Sequence, residues 1–308
     1  MHFKDFGLIF SQANEVIERV TYKGMEVDLL ASYDGTEVIK IHIHKGSRWG
    51  IGPSEGWQAL EFVYVLSGNL VIHIDQYKIP AFPGDSIRSM PIKEICMFLA
   101  NEESQLLYIS SRPVFHHFSQ VLEEYRQLGI SVEEKDGYTY HHCERIMKIS
   151  MLLGEQLELS SNELYQLNLG AFLHDVGKVN IPDEILLKPG KLTDEEWAII
   201  KMHPVYGAEI LENSGYPFLI EAAKIVEQHH ERYDGNGYPY GLKGEEILLG
   251  SSIVAVVDSY DAMTTDRIYR KALTHEQALQ EIINGSGSLY NPKVVQAFIS
   301  IKDNINFI

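Results

Sequence analysis

The feature that most restricts how this chain folds is a change in its hydrophobic pattern near residue 111. Before that point, four short runs rich in β-branched and aromatic residues predict strands at residues 37–44, 61–66, 70–74 and 105–110. Ser67-Gly68-Asn69 separates two of these runs, as the turn of a hairpin does. After residue 111, apolar residues recur at helical spacing, and capping-box patterns begin several predicted helices.

The two patterns predict two domains, since 308 residues exceed what one compact core usually needs. Residues 1–111 are expected to form an all-β domain, a sandwich or small barrel. Residues 137–308 are expected to form an all-α helical bundle. Residues 112–136 are expected to form a connecting helix and a linker between them.

The net charge of the chain restricts the classes of partner that it is expected to bind. Acidic residues outnumber basic ones 43 to 26, which gives a formal net charge of −17 at pH 7. Polymeric nucleic acid and anionic membranes require a basic face, so neither is an expected partner. No apolar run approaches the roughly 20 residues of a membrane helix, and the first residues lack the apolar core of a signal peptide. A cytoplasmic protein is expected, and a small anionic substrate remains compatible with the charge.

Histidine and aspartate side chains fall on the apolar faces of several predicted helices. His142 shares a helical stripe with Ile146 and Ile149, and the pair His174-Asp175 follows another apolar stripe toward the predicted helix stop at Gly177. Five histidines and two aspartates belong to this inward-facing set: His142, His174, Asp175, His203, His229, His230 and Asp258.

Each member of this set has an ordinary structural interpretation. A single inward histidine is most often a hydrogen-bonded core residue, and Asp258 alone is compatible with a helix cap or an arginine partner. The coincidence of seven such groups favours a metal site, because burying them without compensation costs several kcal/mol each. Imidazole and carboxylate donors without thiolates suit iron, manganese or zinc.

Several ordered motifs in this half of the chain resemble one known family. His174-Asp175-x-x-Lys178, HHERYDGNGYP at residues 229–239 and DSYDAMTTDRIYRKAL at residues 258–273 resemble the HD-GYP subgroup of the HD-superfamily phosphohydrolases. The resemblance covers roughly residues 130–300, although Ile268 stands where the subgroup usually has proline.

The resemblance implies a fold, a metal centre and a ligand set. Members of the subgroup are HD-domain helical bundles that hydrolyse cyclic di-GMP at a binuclear or trinuclear iron or manganese centre. All seven inward-facing residues named above would be metal ligands, with Asp175 bridging two ions. Trinuclear members carry a glutamate where this chain has Tyr138, so two divalent metal ions are expected, with iron or manganese favoured.

The resemblance also implies how the reaction proceeds and which residues take part. A metal-bridging hydroxide would attack phosphorus and give pGpG, GMP or both. Asp175 and Lys178 would act in catalysis, and Lys178, Tyr238, Arg267 and Arg270 would contact the substrate. Arg267 and Arg270 are also compatible with a solvated pair at a helix end. The Gly237-Tyr238-Pro239 loop would be a contact surface for a GGDEF-domain partner.

The β half resembles a cupin, which implies a double-stranded β-helix barrel. The segments at residues 59–74 and 79–85 carry this resemblance, but Trp57, Gln58 and Ala59 replace the usual His-x-His before Glu61. His42 and His44 alternate onto one strand face and lie too early for the motif. The domain is therefore expected to be a metal-free sensor or a dimerisation module, and in the second case the protein would form a homodimer. The alternative is a metallocupin.

Three functions follow from these observations. The leading hypothesis is a cyclic di-GMP phosphodiesterase that its N-terminal domain modulates. A second keeps the metal centre but changes the substrate to 3′,3′-cyclic GMP-AMP or another nucleotide. A third is an inactive effector that binds cyclic di-GMP without cutting it, and the presence of all seven expected ligands and Lys178 counts against it.

Overall fold

The chain forms two compact units in a computed structural model, residues 1–123 and residues 124–308. The structure describes the following residues: 2–3, 8–12, 15–22, 24–53, 57–89, 91–115, 124–132, 142–266 and 271–305. The division between the units falls inside the predicted connecting segment, of which residues 124–132 are helical (α1).

The N-terminal unit is built from antiparallel strands, which confirms the predicted all-β class. Its strands are β1 (His2–Phe3), β2 (Leu8–Ile9), β3 (Glu18–Tyr22), β4 (Met25–Tyr33), β5 (Thr36–Ile43), β6 (Arg48–Ile51), β7 (Glu61–Ser67), β8 (Leu70–Ile74), β9 (Tyr77–Ala81), β10 (Ser86–Ser89), β11 (Cys96–Ala100) and β12 (Ser104–Ser110). One sheet has the order β10-β7-β12-β5-β4-β3, a second has the order β6-β11-β8-β9, and β1 pairs with β2.

Alternation along the strands creates the core of this unit. On β5, residues 37, 39, 41 and 43 are buried, whereas the residues between them are partly exposed. Ile41 of the first sheet packs in one cluster with Leu70 and Phe98 of the second, so the two sheets share a core. The period-2 pattern of the sequence therefore determines which face of each strand points inward.

The predicted hairpin at Ser67-Gly68-Asn69 is wrong. β7 belongs to the six-stranded sheet and β8 to the four-stranded sheet, so the turn carries the chain from one sheet to the other. Gly68 has φ +91°, and a Cβ there would lie 2.2 Å from Oγ of Ser104. The local turn signal was correct, but which strands pair is decided by contacts distant in sequence.

Glu61, on β7, lies in the interior of this unit. Its side chain is buried and accepts a hydrogen bond from the Tyr108 hydroxyl. Burial raises the pKa of Glu61. Among the residues that the structure describes, Glu61 belongs to no group of three potential metal ligands.

The C-terminal unit is helical, which confirms the predicted all-α class. After α1 its helices are α2 (His142–Gln156), α3 (Ser161–Phe172), α4 (Asp183–Leu186), α5 (Asp194–Ile200), α6 (His203–Glu212), α7 (Pro217–Gln228), α8 (Leu249–Thr264), α9 (His275–Asn284), α10 (Pro292–Ser300) and α11 (Lys302–Ile305). Two 3₁₀ turns, Val176–Asn180 and Gly244–Glu246, interrupt them. None of the helices within the described ranges combines the length and apolarity needed to cross a bilayer.

Local signals fix where several helices begin. The capping boxes at Ser160, Thr193 and Thr274 all form, each with its side chain accepting the N–H three residues later. These hydrogen bonds satisfy amide groups that a helix start otherwise leaves unpaired. The three predicted boxes are thus confirmed.

Gly177 does not end a helix, contrary to the sequence-based expectation. α3 already ends at Phe172, and Gly177 lies within the 3₁₀ turn that follows. A Cβ at Gly177 would lie 1.9 Å from the carbonyl oxygen of His203 and 2.3 Å from the amide nitrogen of Gly207. Glycine is therefore required here so that the turn can pack directly against the backbone of α6.

Candidate metal centre

The seven inward-facing residues form two adjoining groups in the helical unit. One group contains Asp175, His203, His229 and His230, and the other contains His142, His174 and Asp258. Within each group, one potential ligand atom per residue lies within 4.8 Å of every other. Helices and the turns that follow α3 and α7 thus bring together residues that are more than 100 positions apart.

Asp175 lies between the two groups. Its Oδ2 is 3.2 Å from Nε2 of His174, and its Oδ1 is 3.2 Å from Nε2 of His203 and 4.0 Å from Nε2 of His229. Each carboxylate oxygen therefore faces a different group. Two oxygens arranged in this way are able to contact two cations, which a single imidazole nitrogen cannot do.

Three of the histidines have the same ring orientation. Nδ1 of His174, His203 and His229 lies 2.9, 2.8 and 2.6 Å from the carbonyl oxygen three residues earlier in each case. A carbonyl oxygen only accepts hydrogen bonds, so Nδ1 carries the proton and donates. Nε2 is then the nitrogen that faces Asp175, and it is the atom that would bind a metal ion once it carries no proton.

His142 is held by a carboxylate. Its Nδ1 lies 2.7 Å from Oδ2 of Asp261, and Nε2 lies 3.6 Å from Oδ1 of Asp258. Arg145 donates to both oxygens of Asp261, at 2.5 and 2.9 Å. Asp261 stands three residues after Asp258, and this spacing of one helical turn is the only sign in the sequence of its position beside the cluster.

The electrostatics of the cluster suit a bound cation. Burial lowers the pKa of His229 and His230 well below the usual value, so both rings are neutral at pH 7. Burial alone would raise the pKa of Asp175, but Lys178 and the neighbouring histidines hold it well below its usual value. Burial would also lower the pKa of His174, yet the charge of Asp175 raises it to about 9.

The donor set fits a metal ion. Nε2 of His174 is completely buried and has no hydrogen-bond partner within the described part of the chain, although Asp175 lies 3.2 Å away. A buried polar atom normally has a partner, and a cation would provide one here. The seven residues offer only imidazole nitrogens and carboxylate oxygens, the donors that iron, manganese and zinc accept.

Comparison with known proteins identifies the family. The HD domain family matches residues 119–294, more than half of the chain. The chain belongs to the HD-domain family. Its motifs place it in the HD-GYP group, as the sequence predicted.

Similar proteins include a cyclic di-GMP phosphodiesterase of Thermotoga maritima, 35% identical over 94% of this chain and 76% of the relative. The cyclic di-GMP phosphodiesterase response regulator RpfG of Xanthomonas campestris is 44% identical over 58% of this chain and 47% of its own length. The 3′3′-cGAMP-specific phosphodiesterase 2 of Vibrio cholerae is 38% identical over 56% of this chain. This chain spans one third of that relative.

Two solved structures align with parts of this chain. A cyclic GMP-AMP specific phosphodiesterase of Vibrio cholerae aligns with a TM-score of 0.47 and 24% identity, over 60% of this chain and 49% of that one. An RmlC-like cupin from Shewanella frigidimarina aligns with a TM-score of 0.30 and 18% identity, over 35% of this chain and 94% of that one.

Two predicted substrate contacts of the HD domain lie beside the cluster. Nζ of Lys178 is 2.8 Å from Oδ2 of Asp175. The ring of Tyr238 is centred 4.8 Å from that of His230, and Nζ of Lys201 lies 5.8 Å from the centre of the Tyr238 ring. Lys201 was not predicted from the sequence, because nothing local distinguishes it from other lysines.

Other predicted positions lie outside the described residues. They are Arg267 and Arg270, together with Tyr138 and Ile268. Their roles in the HD domain stay predictions.

The loop of the HD-GYP motif is organised by a glutamate. The buried side chain of Glu231 accepts hydrogen bonds from the N–H groups of Tyr240, Gly241 and Leu242, at 2.7, 3.1 and 3.0 Å. A Cβ at Gly237 would lie 2.2 Å from the amide nitrogen of Arg232, so the loop closes tightly on itself. Glu231 thus holds the residues that follow the motif, and Gly237 allows the loop to pass close to the backbone of Arg232.

Proposed function

We propose that this protein is a metal-dependent phosphodiesterase that hydrolyses cyclic di-GMP. The observation that carries the proposal is the position of Asp175, whose two oxygens face two separate groups of buried histidines. The cyclic di-GMP phosphodiesterase of Thermotoga maritima, 35% identical over most of both chains, supports the substrate.

The same geometry supports a centre of two ions. Asp175, His203, His229 and His230 would hold one ion, and His142, His174 and Asp258 would hold the other, with Asp175 shared. We favour iron or manganese, because the resemblance to the HD-GYP group implies them and the donors are nitrogen and oxygen only. Tyr138, in place of a glutamate, favours two ions over three.

Such ions would lower the pKa of a water molecule and stabilise negative charge on phosphoryl oxygens. The protein contributes the placement of the reacting groups. Lys178 would donate to a phosphate oxygen, and its contact with Asp175 holds the ammonium next to the cluster. Tyr238 would pack against the dinucleotide, and Arg267 and Arg270 would bind its phosphates.

The test is hydrolysis by protein loaded anaerobically with iron or with manganese. We expect cyclic di-GMP to be consumed and pGpG, GMP or both to appear. Asp175→Ala should abolish turnover and lower the metal content, whereas Asp303→Ala, an exposed aspartate outside the cluster, should retain both. Persistence of cyclic di-GMP while linear pGpG is consumed would contradict the proposal.

A second candidate substrate is 3′,3′-cyclic GMP-AMP. A relative named as specific for it is 38% identical over 56% of this chain. Comparing the rates for the two cyclic dinucleotides under identical metal loading separates the two candidates. Binding of cyclic di-GMP without turnover of either substrate would instead indicate an effector.

We further propose roles for surfaces outside the centre. The Gly237-Tyr238-Pro239 loop would contact a GGDEF-domain partner, and exposure of the nearby Tyr240 ring supports this. The N-terminal unit would modulate the HD domain, alone or as part of a homodimer. Co-purification with a GGDEF domain tests the first role, and light scattering tests the homodimer. The cytoplasmic location stays a prediction.

A further inference from the structure

A second cluster of potential metal ligands lies in the N-terminal unit, on the outer face of the six-stranded sheet. It contains His42, His44 and Glu103, and one potential ligand atom from each lies within 4.8 Å of the others. On β5, residues 41 and 43 point into the core and His42 between them points outward. The cluster therefore faces away from the core of the unit, where Glu61 is buried. The cluster is therefore distinct from the interior position at which a metallocupin binds its ion.

Strand pairing holds the three residues together. β5 and β12 run antiparallel with Ile43 opposite Ser104 and His42 opposite Gln105, which brings Glu103 alongside the end of β5. The backbone around His44 is fixed as well, because its N–H donates to the carbonyl of Gly24 at 2.9 Å and its carbonyl accepts from Ser47 at 2.9 Å. Two neighbouring strands thus position the cluster, rather than a single loop.

The contacts of the carboxylate are those of a ligand held in place. Oε1 of Glu103 accepts the N–H of Lys45 at 3.2 Å, and Oε2 lies 2.9 Å from Nε2 of His42. One oxygen is thereby anchored to the backbone while the other faces the imidazole. Orientation of a ligand by a second hydrogen bond is the usual arrangement around protein metal ions.

A simple His42–Glu103 ion pair leaves part of the cluster unexplained. The ring of His44 is centred only 5.1 Å from that of His42, and a ligand atom of His44 lies within 4.8 Å of those of His42 and Glu103. Glu26 lies opposite His42 on the neighbouring strand β4, and its carboxylate is 3.9 Å from Arg19. A hydrogen bond between His42 and Glu103 involves only one of the two imidazoles, whereas a bound metal ion would involve both imidazoles and the carboxylate.

We propose that His42, His44 and Glu103 bind a divalent transition-metal ion of the zinc class. Two imidazoles and one carboxylate match the three-ligand sets that zinc accepts, with bonds of about 2.0–2.2 Å. Ligand atoms around such an ion lie about 3.3–3.6 Å apart, so atoms up to 4.8 Å apart must approach one another by up to roughly 1.5 Å. His44 and Glu103 are exposed, and rotation of their side chains is able to provide this movement. Imidazole donors favour such an ion over magnesium or calcium, which prefer oxygen.

The test is zinc binding by the full chain, in the wild type and in the Asp175→Ala variant that weakens the HD-domain centre. Metal equivalents are measured by equilibrium dialysis and elemental analysis at micromolar free zinc. We expect the double variant His42→Ala/His44→Ala to hold one equivalent fewer than its parent in both backgrounds. Glu103→Gln should weaken this site at least tenfold, and Glu102→Gln, the exposed neighbour in the same turn, should leave it unchanged.

Two results would overturn the assignment. One is a zinc stoichiometry that the histidine variants leave unaltered in both backgrounds, and the other is equal affinity in Glu103→Gln and Glu102→Gln. Magnesium in place of zinc should show no binding at this site. Because the comparison is made within each background, a failure here is independent of whether the HD domain hydrolyses cyclic di-GMP.

Discussion

Asp261 lies 2.7 Å from Nδ1 of His142, and Arg145 holds both of its oxygens. Arg145 also donates to Oγ1 of Thr265 at 3.3 Å. The start of α2 and the end of α8 are therefore joined by a buried carboxylate that orients a proposed metal ligand. Burial would raise the pKa of Asp261, but its hydrogen bond from Arg145 lowers it, so the group is ionised at neutral pH.

We expect Asp261→Asn to weaken metal binding at the HD-domain centre. The amide keeps the shape of the side chain but removes the negative charge that stabilises the Nδ1 proton of His142. Loss of such an outer carboxylate reduces metal affinity by about 10–100-fold. Metal retained after dialysis against a chelator series measures the effect, with Asp303→Asn as the control. Equal retention in the two variants would show that Asp261 only supports packing.

Much of this site could be predicted from local patterns. His142 shares a helical stripe with Ile146 and Ile149, and such a stripe indicates which side chains enter the core. His174 follows an apolar stripe in the same way, although it lies in the turn after α3. Capping boxes such as that at Ser160 likewise depend on only four residues. Such signals need no knowledge of the rest of the fold.

The features that could not be predicted depend on contacts between distant segments. Gly177 is glycine because of the backbone of α6, and Gly68 turns the chain toward a different sheet instead of closing a hairpin. The contact of Asp261 with His142 forms because α2 and α8 pack together, and the contact of Lys201 with Tyr238 joins the end of α5 to a distant loop. Local patterns in a single sequence do not indicate which of these distant segments contact one another.

We expect Lys178→Gln to slow hydrolysis while leaving the metal in place. Lys178 contacts Asp175 through a charged hydrogen bond of 2.8 Å, but an ammonium group is not itself a metal ligand. Removing one donor to developing phosphoryl charge should lower kcat on the order of 10²-fold. Steady-state kinetics and metal analysis of the same samples distinguish the two effects. Lys191→Gln, at an exposed position, is the control. If Lys178→Gln also loses metal, Lys178 is needed to hold the metal centre together rather than to contact the substrate.

We expect Glu231→Gln to affect substrate binding more than chemistry. Its carboxylate accepts three backbone N–H groups from residues 240–242, and an amide has one oxygen fewer to accept them. The loop that carries Tyr238 should loosen, which raises KM by about tenfold with a smaller change in kcat and no loss of metal. Glu245→Gln, an exposed glutamate after the same loop, should behave like wild type. An unchanged KM would exclude a role of the loop in binding.

Metal affinity should increase with pH between about 6 and 9. The pKa of His174 is about 9, because the charge of Asp175 outweighs the effect of burial, so the metal-free ring is protonated at neutral pH. A metal ion must displace that proton, and each displaced proton adds up to about one unit of log affinity per pH unit. Competition titrations at three pH values measure the slope. In His174→Ala the affinity should be lower overall and the slope shallower, and a flat wild-type profile would contradict the expectation.

Glu37→Ala should destabilise the N-terminal unit. Oε2 of this buried glutamate accepts the N–H groups of Val114 and Phe115 at 2.7 and 2.8 Å, which ties β5 to the chain leaving β12. Losing the acceptor leaves two buried donors unsatisfied, at a cost of about 1–3 kcal/mol in the free energy of unfolding. In a Trp197→Phe background the remaining tryptophans, Trp49 and Trp57, lie in this unit, so urea unfolding followed by fluorescence reports on it alone. Glu94→Ala, an exposed glutamate of the same unit, should shift the midpoint little, and an equal shift in both variants would show that the two hydrogen bonds contribute nothing.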